Sequence, residues 1–191
     1  MKTLEKHVVK EKRVLLRVDL NVPFANNSIT DSSRIDAIKP TLKKLIDQKN
    51  KIFILSHFGR PKGTRNKKFS LQFICATLEK ELQIDKIHFL DNLEDENVKN
   101  TLNKMKPKEI CLFENIRFYP QEEKNEEEFI VRLIKNFDVY VNDAFSVSHR
   151  NHASIVSIPK YLPSYAGYNL IKEINNINSF LNNSKKPNLA I

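Results

Sequence analysis

The stretch KIFILSHFGRPKG, residues 51–63, decides the fold that the sequence predicts. Its apolar part, Ile52 to Leu55, has no polar interruption, which is typical of a strand buried on both faces of a parallel sheet. The run then stops at His57, Gly59 and Arg60. Because ligands of open α/β sheets bind just beyond the carboxyl ends of the strands, these three residues occupy the place of a binding site.

Apolar runs alternate with segments of helical periodicity along the whole chain. We predict strands over residues 13–19, 51–56, 87–90, 110–113 and 139–142. Helices are predicted over residues 32–48, 70–82, 94–105, 121–136, 155–162 and 164–182. Asp31 is the expected N-cap of the first helix, which Pro40 should kink or divide, and Ser70 is the expected cap of the second. This alternation predicts a doubly wound, Rossmann-like parallel sheet with helices on both faces, a three-layer α/β fold.

Composition limits the class of protein without choosing a partner. Of the 191 residues, 40% are hydrophobic and 29% are charged, as in ordinary globular proteins. The net charge of +9 suits anionic partners of any kind. Cys75 and Cys111 lie in apolar patterns and are expected to be buried, reduced thiols. No signal peptide or membrane span is evident. Together these two observations predict a cytoplasmic location. No cysteine and histidine spacing typical of a metal site occurs, so no metal is predicted.

Polar or cationic side chains follow four of the five predicted strands and should meet at one edge of the sheet. Arginine offers planar, bidentate donors that match both phosphate and carboxylate groups, so a small phosphate ester that also carries a carboxylate is the expected ligand. A single arginine is more often a surface residue, but the recurrence at successive strand ends favours a site. The candidate site residues are Asp19, Asn21, Arg34, His57, Arg60, Arg117 and Arg150.

Three further features leave alternatives open or exclude a function. His149 and His152 either belong to the site or only bond loop backbone. The acidic run from Glu122 to Glu128 is expected to be a solvated helix face. The chain has only three glycines, so neither GxGxxG nor GxxxxGK[ST] occurs and no phosphate loop for a nucleotide is predicted.

Four of these segments together resemble phosphoglycerate kinase in order and spacing. They are RVDLNVP at 17–23, SHFGRPKG at 56–63, FENIRFYPQEE at 113–123 and NDAFSVSHRNHAS at 142–154. The resemblance implies the N-terminal half of that enzyme, which binds 3-phosphoglycerate or 1,3-bisphosphoglycerate, while a second domain binds Mg-ADP or Mg-ATP. It also implies that the seven candidate residues contact the substrate, that Arg34 stabilises the phosphoryl group in transfer, and that Asn21 lies beside it.

The same resemblance implies a division of the chain. Residues 1–163 would form the substrate-binding domain, residues 164–186 an interdomain helix, and residues 187–191 the start of the nucleotide-binding domain. The chain alone is expected to be a monomer that carries no cofactor, binds 3-phosphoglycerate and transfers no phosphoryl group. Leu20 replaces a usual Phe, and Ser146 replaces a usual Gly, which would matter only if that backbone required a positive φ.

Two other functions remain as alternatives. One is a basic, non-enzymatic module that binds nucleic acid or another polyanion, and the other is an inert remnant. Neither base-stacking aromatics interleaved with Lys and Arg nor a reading helix is evident in the sequence, so we expect no nucleic-acid partner and no membrane partner.

Overall fold

A computed structural model describes residues 1–26 and 28–183. Its main sheet has six parallel strands in the order β5-β6-β4-β1-β7-β8. They are β1 (Arg13–Arg17), β4 (Lys51–Leu55), β5 (His88–Leu90), β6 (Ile110–Phe113), β7 (Val139–Asn142) and β8 (Ser164–Ala166). A separate antiparallel hairpin joins β2 (Phe24–Ala25) and β3 (Ser28–Ile29). All five predicted strands are therefore present, and each lies within about two residues of its predicted bounds.

Helices cover both faces of this sheet. They are α1 (Ser33–Asp47), α2 (Ile74–Leu82), α3 (Asp95–Lys104), α4 (Pro120–Lys124), α5 (Glu127–Ile134), α6 (Ile158–Tyr161) and α7 (Tyr168–Asn183). Alternate strand residues point to opposite layers, so Ile52 and Ile54 pack with α1 and α2, whereas Phe53 and Leu55 pack with α3 and α5. The predicted three-layer, Rossmann-like α/β fold is confirmed.

The first helix differs in detail from its prediction. It runs unbroken through Pro40, which is exposed, so water can hydrate the Asp36 carbonyl that proline leaves without a donor. The N-cap position belongs to Ser32 rather than Asp31. The Asp31 carboxylate nevertheless accepts a hydrogen bond from the backbone N–H of Ser33 at 2.8 Å, so it still serves the helix start.

The predicted last helix starts too early. Residues Ser164–Ala166 form β8 against β7, and the helix begins only at Tyr168, after Gly167. Three residues are too few to show the alternation of a strand, so the helical periodicity that follows them masked the break. A Cβ on Gly167 would lie 2.4 Å from the carboxyl carbon of Asp143, so α7 docks this closely only with glycine there.

Two other helices begin or divide differently from the prediction. Asn125, with φ 57°, separates α4 from α5 within the predicted helix 121–136. Ser70 is not the N-cap of α2, because α2 starts at Ile74 and the residue before it is Phe73. The Ser70 hydroxyl accepts from the backbone N–H of Gln72 at 3.2 Å and donates to the Glu114 carboxylate at 2.7 Å. Cys111 is buried as expected and Cys75 is half-buried, and both are free thiols. The predicted boundaries at 186 and 187 lie outside the described residues. No helix of the described part is long and apolar enough to span a membrane.

Candidate functional site

The predicted site residues meet at the carboxyl edge of the central strands. Arg17, the last residue of β1, pairs in register with Leu55 of β4 and with Asn142 of β7. The segments that leave these strands are therefore adjacent. All seven candidates, together with Gly59, Ser146 and Val147, line one cavity of about 280 Å³; the candidates are Asp19, Asn21, Arg34, His57, Arg60, Arg117 and Arg150.

Asp19 links the first strand end to two other segments. Its Oδ1 accepts from the backbone N–H of Asn21 at 2.9 Å, and its Oδ2 pairs with the Arg34 guanidinium from the first turn of α1. The same Oδ2 accepts from the Ser146 hydroxyl. Ser146 has no positive φ, so the exchange for the usual glycine causes no backbone strain and adds a donor to Asp19.

Gly59 joins Asn21 and Arg117 through its backbone. Its N–H donates to Asn21 Oδ1 at 2.8 Å, and its carbonyl accepts from Arg117 Nη1 at 2.9 Å. The Asn21 amide nitrogen is therefore the end that remains to donate to a ligand. Gly59 has φ +60° and lies against the Phe69 ring, which would be 2.5 Å from a Cβ at this position, so only glycine fits here.

His57 is held as a neutral donor. Its Nδ1 lies 3.3 Å from Arg17 Nη2, and because a guanidinium can only donate, Nδ1 must be the acceptor. Nε2 then carries the proton. Burial lowers the pKa of His57 to about 2, and the nearby cations Arg17, Arg117 and Arg34 add to this effect. His57 therefore supplies a hydrogen-bond donor, not a charge, throughout the physiological pH range.

The sequence prediction missed Arg17, which is fully buried beneath the cavity. Its Nε donates to the Ser154 hydroxyl at 3.2 Å, and its Nη1 donates to the carbonyl of Val18. Ser154 in turn donates to Glu122 from its hydroxyl at 2.6 Å and from its backbone N–H at 2.8 Å. Arg17 thus fixes the tautomer of His57. Ser154 lies between the Arg17 guanidinium and the buried Glu122 carboxylate and is hydrogen-bonded to both.

The expectation of a solvated acidic face from Glu122 to Glu128 is wrong for its first member. Glu122 is fully buried, and burial raises the pKa of its carboxyl against the opposing effect of Arg17. A buried carboxylate needs a counter-charge, and the serine-bridged Arg17 supplies it. Glu123 and Glu128 are exposed, as expected. A charged residue that turns inward cannot be recognised from the polarity of its helix.

The remaining cations face the cavity with unused hydrogen-bonding capacity. Arg60 and Arg150 are exposed, and neither has an ion-pair partner within 4.0 Å among residues 1–26 and 28–183. Arg117 is buried, and its Nε lacks a hydrogen-bond partner, although Glu123 lies 3.4 Å away. Arg60 and Arg150 therefore have guanidinium donors free for an anion, with Arg117 beside them on the same cavity.

The two loop histidines lie in different surroundings. His152 is half-buried, with Nδ1 3.9 Å from Glu122 Oε1, and its pKa is lowered, first by burial and then by Arg117. His149 is exposed. Neither lines the cavity that holds the seven candidates. In the described part of the chain, no three His, Cys, Asp or Glu side chains group closely enough to hold a metal ion.

Comparison with known proteins shows the family to which the chain belongs. The family model described as phosphoglycerate kinase matches residues 4–191. The chain belongs to the phosphoglycerate kinase family. A phosphoglycerate kinase from Finegoldia magna is 44% identical over all of this chain, and one from Brucella melitensis is 41% identical. In both cases the match covers 48% of the relative, so the chain spans about half the length of the curated relatives it matches.

Solved phosphoglycerate kinases have the same fold over nearly the whole chain. The enzyme from Coxiella burnetii is 35% identical and matches 97% of this chain with a TM-score of 0.83. The enzyme from Pyrococcus horikoshii is 28% identical and matches 98% with a TM-score of 0.88. The match covers 46% and 47% of those chains. The chain therefore corresponds in fold and length to about half of each of these solved enzymes.

Proposed function

We propose that the cavity binds 3-phosphoglycerate or 1,3-bisphosphoglycerate and that the chain is the substrate-binding half of a phosphoglycerate kinase. The observation that carries this proposal is the convergence of four arginines and one neutral histidine donor on a single cavity of about 280 Å³. Arg60 and Arg150 would bind the phosphate or carboxylate of the ligand, because they have no partner in the described residues.

Asp19, Asn21 and Arg34 would act on the reacting end of the substrate. The Asp19 carboxylate can accept from the substrate hydroxyl once its pair with Arg34 loosens. Arg34 would then turn its guanidinium to the phosphoryl group in transfer, where its charge stabilises the transition state. The Asn21 amide nitrogen, fixed by the Gly59 contact, would donate beside it.

The nucleotide and its Mg²⁺ would belong to another part of the protein. This chain has three glycines and no phosphate loop, so its own residues do not fit a nucleotide. We propose a substrate-binding domain over residues 1–163, an interdomain region over 164–186 whose helix begins only after β8, and the start of a nucleotide-binding domain over 187–191. This nucleotide-binding domain would close on the substrate-binding half. The complete enzyme would transfer a phosphoryl group reversibly between 1,3-bisphosphoglycerate and ADP. We also propose that the protein is soluble, cytoplasmic and monomeric.

Isothermal titration with 3-phosphoglycerate tests the proposed function. We expect saturable, one-to-one binding. Arg60→Ala should weaken this binding by about 10- to 100-fold, because it removes charge-assisted hydrogen bonds worth about 1.5–3 kcal/mol. Arg132→Ala is the matched control, since Arg132 is also exposed but lies on α5 outside the cavity, and it should leave the affinity unchanged.

Three results would contradict the proposal. The first is the absence of saturable heat at millimolar ligand, which would favour an inert remnant. The second is binding that both arginine variants weaken equally, which would indicate a non-specific response to net charge. Steeply salt-dependent binding of DNA or RNA, tighter than that of 3-phosphoglycerate, would favour the polyanion-binding module instead.

A further inference from the structure

A second cavity, which shares only Asn21 and Gly59 with the arginine cavity, opens beside the loop that follows β4. It has a volume of about 1030 Å³, and its wall contains six phenylalanine rings. Five of them are only partly covered by the protein, and Phe24 keeps 40% of its surface exposed. The six rings are Phe24, Phe58, Phe69, Phe73, Phe89 and Phe118. We call this surface the phenylalanine groove.

Three of the rings form a continuous series across the groove. The centroid of Phe73 lies 4.3 Å from that of Phe24 and 5.2 Å from that of Phe58. The three rings are tilted relative to one another, at 44° and 62°, so they do not stack to fill the space themselves. Such a wall offers ring faces and edges to a planar aromatic ligand. The burial of this ligand would also remove exposed apolar surface from water.

Three cations line the same groove. Arg65, Lys67 and Lys68 are exposed, and in the described chain none of them has an acidic side-chain partner within 4.0 Å. The Arg65 guanidinium instead donates to the backbone carbonyl of Asp91 and lies 5.7 Å from the centroid of the Phe118 ring. The loop therefore places three positively charged side chains beside the apolar wall, and no carboxylate of the described residues forms an ion pair with them.

The two carboxylates of the groove do not neutralise these cations. Glu114 is buried, and its two oxygens accept from the Ser70 hydroxyl at 2.7 Å and from the Leu71 backbone N–H at 2.8 Å. Asp91 is exposed and accepts from the neighbouring Asn92 amide. Three cations against one exposed carboxylate leave the groove complementary to an anion.

We propose that the phenylalanine groove is a second binding site, and that its ligand is a small planar aromatic molecule with a sulfonate, carboxylate or phosphate substituent. The ring would lie against Phe24 and Phe73, and the anionic group would reach Lys67 and Lys68. The inference does not rest on the proposed phosphoglycerate site, because the phenylalanine rings and the three cations that carry it line the groove and not the arginine cavity.

Titration of the ¹⁵N-labelled chain with naphthalene-1-sulfonate, followed by NMR, tests the proposal. Saturable shifts are expected at the backbone amides of residues 65–73. Phe24→Ser should weaken binding about fivefold, through loss of a ring contact. Phe180→Ser removes a ring of comparable exposure on α7, 50% against 40% for Phe24, and should leave binding unchanged. The pair Lys67→Gln and Lys68→Gln should weaken it about fivefold or more, unlike Lys86→Gln with Lys108→Gln, which removes the same charge from other exposed positions.

Two further ligands separate the contributions of ring and charge. Naphthalene-1-methanol keeps the ring without the charge, and methanesulfonate keeps the charge without the ring, so each should bind at least about fivefold more weakly. Shifts confined to the arginine cavity, or equal losses in test and control variants, would overturn the proposal. Tighter, steeply salt-dependent binding of a single-stranded oligonucleotide at residues 65–73 would overturn the small-molecule assignment in favour of nucleic acid. The double lysine variant changes only two exposed positions in a single 3-10 turn, so the test survives if Phe24→Ser does not fold.

Discussion

Replacing Asp143 by asparagine should raise the free energy of unfolding, relative to that of the parent protein, more at neutral pH than at acidic pH. Asp143 is fully buried at the end of β7, where its Oδ1 accepts from the backbone N–H of Leu170 at 2.9 Å. Its Oδ2 is buried without a hydrogen-bond partner. Burial raises the pKa of Asp143 from 3.8 to about 6, against the opposing hydrogen bonds from Thr41 and from the start of α7.

The sign and size of the effect follow from this pKa. Between pH 3.8 and about 6 the folded protein binds the Asp143 proton and the unfolded chain does not, so stability falls as the pH rises through this window. A shift of about two units corresponds to about 3 kcal/mol at neutral pH, of which about 2.5 kcal/mol should develop between about pH 4 and about pH 7.5. Asparagine cannot ionise, so Asp143→Asn should not lose this stability.

Urea unfolding at a series of pH values measures the difference directly. The chain has no tryptophan, so far-ultraviolet circular dichroism is the suitable signal. The free energy of unfolding of Asp143→Asn minus that of the parent should rise by about 2.5 kcal/mol from about pH 4 to about pH 7.5. Asp138→Asn is a control of opposite sign, because Arg13 lowers the pKa of Asp138. A difference for Asp143→Asn that is flat with pH, or that falls, would refute the reasoning.

Three other outcomes follow from the packing and the hydrogen bonds. Gly167→Ala should cost about 1–3 kcal/mol in urea unfolding, since the added Cβ would lie 2.4 Å from the Asp143 carboxyl. ¹⁵N NMR should show His57 as the neutral Nε2–H tautomer from about pH 5 to about pH 8, and a titration midpoint near its ordinary pKa of about 6.5 would contradict the Arg17 contact. Leu112→Ala, fully buried in β6, should cost about 2–5 kcal/mol, whereas Leu181→Ala, 70% exposed on α7, should change stability by less than about 0.5 kcal/mol; similar costs would argue against the core described above.

The parts of the fold that follow from local patterns were predictable from the sequence. Uninterrupted apolar runs mark the central strands, because both faces of a parallel sheet are buried here. The site could be predicted for the same reason, since the carboxyl ends of parallel strands share one edge and residues as distant as Asp19 and Arg150 had to meet there. The strand β8 was missed because Ser164–Ala166 is too short to show a period.

The buried charges beneath the site could not be predicted in the same way. Arg17 ends an apolar strand and Glu122 lies in an acidic run, and each pattern alone favours an exposed side chain. The two charged side chains can be buried together because Ser154 forms hydrogen bonds with both of them. Ser154 is 137 residues from Arg17 and 32 residues from Glu122 in the chain. Long-range pairing of this kind leaves no local signal in a single sequence. The phenylalanine groove was missed likewise, because Phe24 reaches Phe73 only in the folded chain.

Arginine side-chain NMR during titration with 3-phosphoglycerate tests the proposed site most directly. The Nε–Hε signals of Arg34, Arg60, Arg117 and Arg150 should shift together along one saturable curve, because all four guanidinium groups line the same cavity. The signal of Arg132, which lies outside it, should stay in place. Shifts that involve Arg132 to the same extent, or four signals that remain unmoved at millimolar ligand, would contradict the assignment of this cavity to the phosphoglycerate substrate.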